Sequence, residues 1–318
     1  MTGQNIAIIG AGLAGSVLAR TLHDAGAQVT VFEKSGGAGG RLATRRTDHG
    51  AFNHGAQYLS AKHAAFRAML TGLARADAAE VWTPPDQDRD AVWHVGKPGM
   101  SGVVKPLLKD INVVSRTRVT AIIKDETKAL LNADGASLGQ FDHVIVTAPT
   151  PQAYHLLSPV DPVFQSLASV RYAPNWTLMG VFADTEIAPE FARGTPAEII
   201  GWQAVAFRAA GNLGIVVQAG AEWSRDHLEL EKDDAGARIL AALQNRHPSL
   251  GEPLHVDAHR WRYALVERPL GTPFLGSRCN TFFASGDGML GGRAESAFES
   301  ARALADHLKS AVLAPNSR

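Results

Sequence analysis

Short apolar runs and a helical pattern alternate at the start of the chain. Ile6–Ile9 is a run of four apolar residues, which predicts a short buried strand. A helical pattern follows over residues 13–24, and Gly26 ends the predicted helix. Val29–Phe32 predicts a second buried strand that stops at Glu33. This order of strand, helix and strand predicts the first unit of a Rossmann-type α/β domain.

The glycines of this unit have the spacing of a dinucleotide-binding loop. Gly10, Gly12 and Gly15 match G-x-G-x-x-G between the predicted strand and helix. The first permits a tight turn, the second lets the backbone approach a pyrophosphate, and the third lets the helix pack on the strand. N–H groups at a helix N-terminus suit phosphate, and a carboxylate about 20 residues later suits ribose hydroxyls. A glycine-rich turn in an ordinary α/β domain is the alternative. The contacts predicted from this unit are Gly10, Gly12, Leu13, Ala14, Gly15 and Glu33.

The pattern changes over residues 152–275. One clear helical stretch runs over residues 233–245, and all six tryptophans lie from Trp82 to Trp261, outside the nucleotide-binding elements. Because aromatic rings supply large contact areas, we expect a separate antiparallel sheet that builds a pocket, although core packing explains many of these rings equally well. The strand candidates are Trp176–Phe182, Ile199–Phe207, Ile215–Ala219 and His255–Ala264.

Composition narrows the class of protein. The 318 residues carry 31 Lys and Arg against 31 Asp and Glu, which argues against nucleic acid or an anionic membrane surface as a partner. With 45% apolar and 19% charged residues, the chain suits a soluble globular protein. The single cysteine, Cys279, allows no internal disulfide and indicates a reducing compartment. No charged leader and no apolar run of about 20 residues is present, so we expect a cytoplasmic protein.

Two further glycine-bearing segments extend the predicted site. Gly36–Arg41 contains four glycines, and arginines at its end and just beyond suit an anionic ligand. Gly286–Arg293 lies between a buried strand and a helical pattern from Ala294. A dehydrogenase needs only the first loop, whereas a second helix N-terminus suits bound FAD. Asp287 would hydrogen-bond to the ribityl or pyrophosphate region of FAD, and a plain helix N-cap or Asx-turn is the alternative for this residue. The dipole of the helix from Ala294 would stabilise the negative charge of reduced flavin.

Two histidines, His49 and His54, lie in the segment 48–60. They invite a metal interpretation, but neither a cysteine nor an H-E-x-x-H context supports it, and we predict no metal site. The preferred interpretation is a glycine-rich segment that runs under a flat ligand, with His54 and Gln57 as hydrogen-bonding groups.

The fold class that follows is α/β, a Rossmann-type FAD-binding domain with a second, substrate domain built on an antiparallel sheet. Buried strands at Phe141–Pro149, where the strand ends in a loop, and at Thr281–Ser285 are expected to extend the first sheet. Strands are also expected around Val81-Trp82 and Val92–Val95, with a turn at Pro84–Asp88 between them. The predicted boundaries are 1–62, 98–151 and 276–318 for the first domain, and 63–97 and 152–275 for the second.

The motifs together resemble the flavin-containing amine oxidase superfamily, and more closely its renalase-like branch. The N-terminal G-x-G-x-x-G and Glu33, with the C-terminal S-G-D-G-M-L-G-G-R-A-E-S-A, carry the first resemblance. The match to the branch spans nearly the whole chain. The segments that carry it are Gly37–Arg46, Asn53–Tyr58, Pro98–Gly102, Glu222–Leu228 and His259–Ala264.

The resemblance implies a two-domain fold with non-covalent FAD. For bacterial members it implies oxidation of mis-reduced dihydro-NAD(P) isomers, the 1,2- and 1,6-dihydronicotinamide forms. Hydride passes to the flavin and then to O₂, so NAD(P)⁺ and H₂O₂ are the products. The implied partners are a dihydronicotinamide dinucleotide and O₂. Two alternatives stay open: a flavin-dependent amine oxidase or desaturase acting on another substrate, and a non-catalytic dinucleotide-binding protein.

Hydride transfer to a flavin needs positioning more than acid–base groups, so no dedicated nucleophile is predicted. The residues predicted near the flavin are Gln57, Trp261 and Tyr263, with Arg260 as a polar or phosphate-contacting partner. On a regular strand Trp261 and Tyr263 share one face and Arg260 lies on the other, so only one face lines the pocket directly. The remaining predicted cofactor contacts are Lys34, Gly40, Arg41, His54, Gly55, Ala56, Gln57, Val119, Gly286, Asp287, Gly292, Arg293 and Ala294.

Overall fold

The computed structural model describes residues 3–83, 92–125, 128–133 and 135–313. The turn predicted at Pro84–Asp88 lies outside these residues. The strands are β1 Asn5–Ile9, β2 Gln28–Phe32, β3 Thr44–Thr47, β4 Gly50–Asn53, β5 Leu59–Ser60, β6 Ala79–Trp82, β7 Trp93–Gly96, β8 Asn112–Val114, β9 Ala121–Asp125, β10 Lys128–Ala133, β11 Ala136–Phe141, β12 His143–Val146, β13 Arg171–Ala183, β14 Phe191–Arg193, β15 Trp202–Ala209, β16 Asn212–Gln218, β17 His255–Arg268, β18 Leu275–Gly276 and β19 Phe282–Ala284.

Helices account for much of the remaining described chain. None of the described helices combines the length and the apolar character needed to cross a bilayer. A 3₁₀ segment at Pro162–Ser169 follows the third helix. The α-helices are α1 Leu13–Asp24, α2 Ala64–Arg75, α3 Thr150–Leu157, α4 Ala221–Asp226, α5 Lys232–Arg246, α6 Asp287–Leu290 and α7 Ala294–Leu313.

A sheet of six strands, in the order β18-β19-β12-β1-β2-β8, carries the glycine loops. Its strands run parallel, except that β18 is antiparallel to β19. The run Ile6–Ile9 is buried because helices and loops cover both faces of the sheet, which is why it contains no polar residue. β1 lies between β2 and β12, so the strand order reverses beside it, and ligands bind at such a switch point.

Helices α1, α2 and α7 pack on one face of this sheet. Phe66 of α2 and Phe298 of α7 are in ring contact at 5.2 Å, in the same core as Ile8 and Leu18. The proposed boundary at residue 62 assigns α2 to the substrate domain, but this packing ties α2 to the first sheet. We therefore move α2 to the first domain, and the division of the chain stays a proposal.

The second large sheet is antiparallel, in the order β14-β15-β16-β13-β17, and confirms the predicted second architecture. Its two long strands, β13 and β17, pair along most of their length. One face packs on α5, where Trp176 is 1% exposed. The other face packs on Phe52 and Trp93, so it meets the segments that follow the second glycine loop. The antiparallel sheet therefore borders the segments after the second glycine loop with one of its faces.

Candidate active site

The first glycine loop, Gly10–Gly15, is fixed by a buried carboxylate. Glu33 is 5% exposed, and its two oxygens accept from the Ala11 amide at 2.9 Å and from the Ser35 amide at 2.8 Å. The Ser35 hydroxyl donates to the same carboxylate at 2.5 Å. Glu33 thus joins the loops after β1 and β2, and its predicted contact with the adenosine ribose stays a prediction.

The glycines of the loop differ in what surrounds them. A Cβ at Gly15 would lie 2.0 Å from the Gly10 carbonyl oxygen, whereas a Cβ at Gly12 would meet no atom within 4 Å. Gly12 precedes α1, and no side chain caps the helix there. Open space in front of uncapped helix N–H groups is what a pyrophosphate needs. These residues, with Leu13 and Ala14 in the first turn, therefore fit the phosphates of a dinucleotide.

The second glycine loop lies on the first. The Gly39 amide donates to the Ala11 carbonyl at 2.9 Å, and a Cβ at Gly40 would lie 3.5 Å from the Cα of Gly12. Gly40 has a φ of 54°, in the left-handed region that favours glycine. The two predicted loops therefore form one continuous wall at the carboxyl edge of the sheet.

Arg41 ends the second loop and joins three distant parts of the chain. It donates to the two oxygens of Asp287 at 2.7 and 2.6 Å and to the Ala264 carbonyl at 3.1 Å. We call Arg41, Asp287 and the Ala264 carbonyl the Arg41 junction. Burial acts to lower the pKa of the Arg41 guanidinium, but the charge and hydrogen bonds of Asp287 outweigh it and raise that pKa. The guanidinium is therefore a permanent cation.

The structure changes the interpretation of Asp287. The carboxylate neither caps a helix nor forms an Asx-turn, because both oxygens are held by Arg41 and the residue before α6, Gly286, contributes no side chain. The long helix α7 begins seven residues further on, at Ala294. Contact of Asp287 with a ribityl chain stays a prediction. Arg41 would influence that contact through its salt bridge with Asp287.

The segment Asn53–Gln57 lies between the loops and the antiparallel sheet. The Trp261 indole donates to the His54 carbonyl at 2.8 Å. The Gln218 amide donates to the Gly55 carbonyl at 2.6 Å, and the Ala56 amide donates to the Arg41 carbonyl at 2.8 Å. The side-chain amide nitrogen of Gln57 donates to the carbonyls of Asn53 and Gly55. The segment is therefore fixed on both sides, and the nitrogen of Gln57 is engaged by backbone.

A cluster of three rings forms around Trp261. The ring centroids of His54, His259 and Trp261 lie 5.0, 5.1 and 4.3 Å apart. Burial, followed by the charge of Arg45, lowers the pKa of His259 to about 4. Burial also lowers the pKa of His54 to about 4, with His259 and Arg45 adding to the effect. Both histidines are neutral at pH 7, and the cluster is an uncharged aromatic wall.

His259 was not among the sequence-predicted site residues, although the sequence held a signal for it. It lies two positions before Trp261 in β17, so strand alternation places it on the Trp261 face. Among the described residues, no group of three or more histidine, cysteine and acidic side chains is arranged to hold a metal ion.

Tyr263 continues the same face of β17. Its ring meets the Tyr172 ring at 5.7 Å, and the Tyr172 hydroxyl accepts from the Thr150 amide at 3.2 Å. Burial raises the pKa of Tyr172, and the Arg41 guanidinium lies 6.0 Å from its ring. Tyr172 is thus a second residue that the sequence alone did not single out.

Arg260 lies apart from these residues. Its guanidinium donates to the Leu228 carbonyl at 2.8 Å and lies 3.5 Å from Glu229, which also binds Arg262. These partners lie in the segment between α4 and α5, on the face of β17 opposite to the Trp261 ring. The geometry argues against Arg260 as a residue that touches flavin or substrate, so we correct that prediction. Strand alternation is the physical reason.

The other predicted contacts take different positions at this edge. Lys34 is exposed, with its ammonium 3.5 Å from the Gln152 side chain. Val119 is 7% exposed in the core that contains Phe32, and it lies just before β9. The Arg293 guanidinium donates to the Ser60 carbonyl at 3.1 Å. A Cβ at Gly292 would lie 2.8 Å from the Val266 carbonyl oxygen, so the start of α7 packs tightly on β17.

Comparison with known proteins identifies the family. Residues 94–308 match the model of the flavin containing amine oxidoreductases, and residues 8–73 match that of an NAD(P)-binding Rossmann-like domain. The first match spans more than half of the chain. The chain belongs to the flavin-containing amine oxidoreductase family. It is therefore an FAD-dependent oxidoreductase, and the junction of Arg41 and Asp287 is part of a flavoprotein fold.

Individual relatives agree with this family assignment. Mouse (Mus musculus) renalase is 25% identical over 298 residues, which cover 83% of this chain and 85% of that protein. A protein from Exiguobacterium sp. described as a candidate protoporphyrinogen oxidase superposes with a TM-score of 0.77 at 13% identity, covering 98% of this chain and all of that one. Cyclohexylamine oxidase from Brevibacterium oxydans superposes with a TM-score of 0.70 at 14% identity, covering 96% and 99%. The resemblance to the renalase-like branch is thereby confirmed, while the two structures show the fold alone.

Proposed function

We propose that this flavoenzyme oxidises the 1,2- and 1,6-dihydronicotinamide forms of NAD(P) to NAD(P)⁺, with O₂ as acceptor and H₂O₂ as product. The observation that carries the proposal is the uncharged aromatic wall on β17, made by His259, Trp261 and Tyr263 beside the segment Asn53–Gln57. A planar dihydropyridine becomes a cation when it loses hydride. The histidines beside this wall stay neutral at pH 7, so the rings add no positive charge of their own to oppose that change. Similarity to mouse renalase supports the renalase-like branch, and for bacterial members of that branch the sequence resemblance implies this substrate class.

The residues of the site would divide the work between holding FAD and placing the substrate. Glu33 and the first glycine loop would hold the adenosine and pyrophosphate, and the Arg41 junction would hold the ribityl region. When bound, FAD supplies the hydride acceptor and the reactivity with O₂. The chain supplies orientation, because the Trp261 indole is fixed by the His54 carbonyl and cannot rotate without losing that bond.

Trp261 and Tyr263 would limit the position of the nicotinamide ring by contact. Gln57 keeps its side-chain oxygen as an acceptor, since its nitrogen is the atom bound to backbone. That oxygen would accept from a substrate amide or from flavin. In this scheme no side chain removes a proton from the substrate, because hydride transfer leaves none to remove.

Anaerobic mixing of the FAD-loaded protein with each dihydronicotinamide isomer tests the proposal. We expect the oxidised flavin absorbance to disappear in a single turnover, and admission of O₂ should restore it with one H₂O₂ per substrate. Rapid reduction by simple amines but not by any isomer would overturn the substrate assignment in favour of an amine oxidase. A flavin that neither group reduces would favour a non-catalytic dinucleotide-binding protein.

A further inference from the structure

A surface cleft of about 330 Å³ has Tyr263 in its wall. It forms where α3, the 3₁₀ segment Pro162–Ser169 and the first residues of β13 meet β17. Tyr154 and His155 from α3, Arg171 and Tyr172 from β13, and Tyr263 from β17 line it. None of these residues except Tyr263 has a role in the site as described from the sequence.

The inner wall of the cleft is shared with the cofactor residues. Tyr172 and Tyr263 meet edge to face at 5.7 Å and form this wall. The Tyr172 hydroxyl fits tightly beside Gly288, where a Cβ would lie 2.6 Å from its oxygen. The Tyr172 ring also lies 6.0 Å from the Arg41 guanidinium. The Tyr172 ring therefore lines the cleft and is also near the Arg41 junction.

The outer rim of the cleft carries the positive charge of Arg171. Arg171 and His155 are both exposed, and the residues that line the cleft in the described chain include no carboxylate. Arg171 is held at the rim because its guanidinium donates to the Ala168 carbonyl at 2.5 Å and to the Val170 carbonyl at 3.1 Å. The chain as a whole has a formal net charge of zero, so this charge at the rim is a local feature. Local positive charge on an aromatic cleft suits an anion that carries a flat ring.

We propose that this cleft binds the adenosine-phosphate half of the dinucleotide substrate, with a phosphate at Arg171 and the base against the tyrosine rings. The inference rests on the proposed function. The volume of the cleft is at the lower end of small-molecule sites, about 300–1,000 Å³, and suits a nucleotide rather than a whole dinucleotide. The nicotinamide half then passes Tyr172 and Tyr263 to reach the ring cluster. Arginine suits the role because its planar fork matches phosphate oxygens.

Calorimetric titration of the FAD-loaded protein with ADP-ribose tests the site without any oxidation. Loss of one charge-assisted hydrogen bond corresponds to about tenfold or more in affinity, so Arg171→Gln should weaken ADP-ribose binding by at least about tenfold. Tyr154→Ala should weaken it through lost stacking while leaving Arg171 in place. Arg238→Gln, an exposed change on α5, is the matched control and should bind as the parent does. Flavin content and circular dichroism confirm that each variant is folded.

A kinetic comparison then shows which half of the substrate the cleft binds. We expect Arg171→Gln to lower the kcat/KM of the dihydro-dinucleotide relative to that of the dihydronicotinamide mononucleotide by about tenfold. An unchanged ratio, or an absence of ADP-ribose binding to the parent protein, would overturn the proposal. If neither substrate reduces the flavin but ADP-ribose binds and Arg171→Gln abolishes that binding, the proposed function fails and the nucleotide cleft stands.

Discussion

The first glycine loop and the Arg41 junction place cofactor residues by opposite means. In the loop, the backbone takes its position because the glycines have no Cβ. A Cβ at Gly15 would have no room, and a Cβ at Gly12 would enter open space. In the junction, positions are set by partners that are 246 residues apart in sequence, Arg41 and Asp287. The loop is thus a local property of one strand and one helix, whereas the junction exists only when both sheets and the C-terminal segment are in place.

Substitutions in the loop and in the junction should therefore disturb the protein for different physical reasons. Substitution in the loop adds atoms, and substitution in the junction removes a partner. We therefore expect substitutions in the two regions to differ in how strongly they affect stability, FAD content and turnover. Four experiments examine that separation, beginning with the largest expected effect.

Gly15→Ala should be the most damaging change. The new Cβ would meet the Gly10 carbonyl oxygen at 2.0 Å, a clash between backbone atoms that cannot move apart without breaking the turn. The gain of about 1 kcal/mol in helix propensity is smaller than the clash, for which we expect a loss of more than about 3 kcal/mol in the free energy of unfolding. Soluble yield and urea unfolding measure it.

Gly12→Ala is the matched control for that experiment. Its φ of −77° is acceptable for alanine and its Cβ has space, so the fold should be retained. FAD affinity should nevertheless fall, because the Cβ occupies the space expected for the pyrophosphate. Equal unfolding losses in Gly12→Ala and Gly15→Ala would contradict the distinction between an open and a packed glycine.

Asp287→Asn should come next. Arg41 would keep its position but lose its charged partner, and hydrogen bonds to charged groups contribute about 1.5–3 kcal/mol each in mutational series. Because the Arg41 side chain is 30% exposed, solvent offsets part of this, and we expect about 2 kcal/mol of destabilisation together with reduced FAD content. Thermal unfolding with and without added FAD measures both effects. Glu229→Gln, which disturbs only the exposed pairs on β17, should change neither, and a similar loss there would count against a special role for the junction.

Acid should weaken the wall beside the junction. His54 and His259 have pKa values of about 4 in the fold, against about 6.5 in an unfolded chain. The unfolded state binds more protons between these values, so the stability present above about pH 6.5 falls as the pH drops toward 4. Each histidine contributes a slope of up to about 1.4 kcal/mol per pH unit. Urea midpoints across that range should show a shallower decline in His259→Phe than in the parent protein; identical slopes would refute the assignment.

Trp261→Phe should have the smallest effect on stability and a selective effect on turnover. The ring is largely preserved, but the hydrogen bond to the His54 carbonyl is lost, which costs about 1 kcal/mol. We expect normal FAD content and a lower kcat/KM for the dihydronicotinamide substrate. Arg260→Ala, one position earlier on the other face, should leave both unchanged. If Arg260→Ala slows turnover as much as Trp261→Phe does, the two faces of β17 are not functionally distinct.

The elements nearest the first glycine loop were predictable because their causes are local. The apolar run of β1, the 3.6-residue period of α1 and the glycine spacing are all contained in the first 33 residues. The structure ends α1 at Asp24 and β2 at Phe32, as the pattern indicates. Strand β17 was predictable for the same reason, and its alternation already separated Trp261 from Arg260.

The elements that the sequence did not predict depend on contacts between distant parts of the chain. Hairpin β3–β4 is short and polar, and it is held partly by Asn53, whose side-chain oxygen accepts from Thr44 and from the Met100 amide. Helix α3 is only eight residues long and was not separable from the loop after Pro149. Tyr172 and His259 gained importance only when β13 and β17 paired and brought them to the Arg41 and His54 segments. A single sequence shows which side chains share a face, but it does not show what that face meets.

The order of strands in the first sheet has a consequence for how the protein is made. β1 begins at Asn5, yet its sheet is completed by β19, which begins at Phe282, and Asp287 follows. A ribosome delivers the chain from its N-terminus, so the first glycine loop leaves the ribosome long before its partners are synthesised. The first glycine loop can form early, but the Arg41 junction cannot form before Asp287 has been made, so we expect complete flavin binding only after that point. β1 pairs with β2 in the folded sheet, but its other neighbour, β12, begins at His143, so one edge of β1 has no partner until much more of the chain has been made.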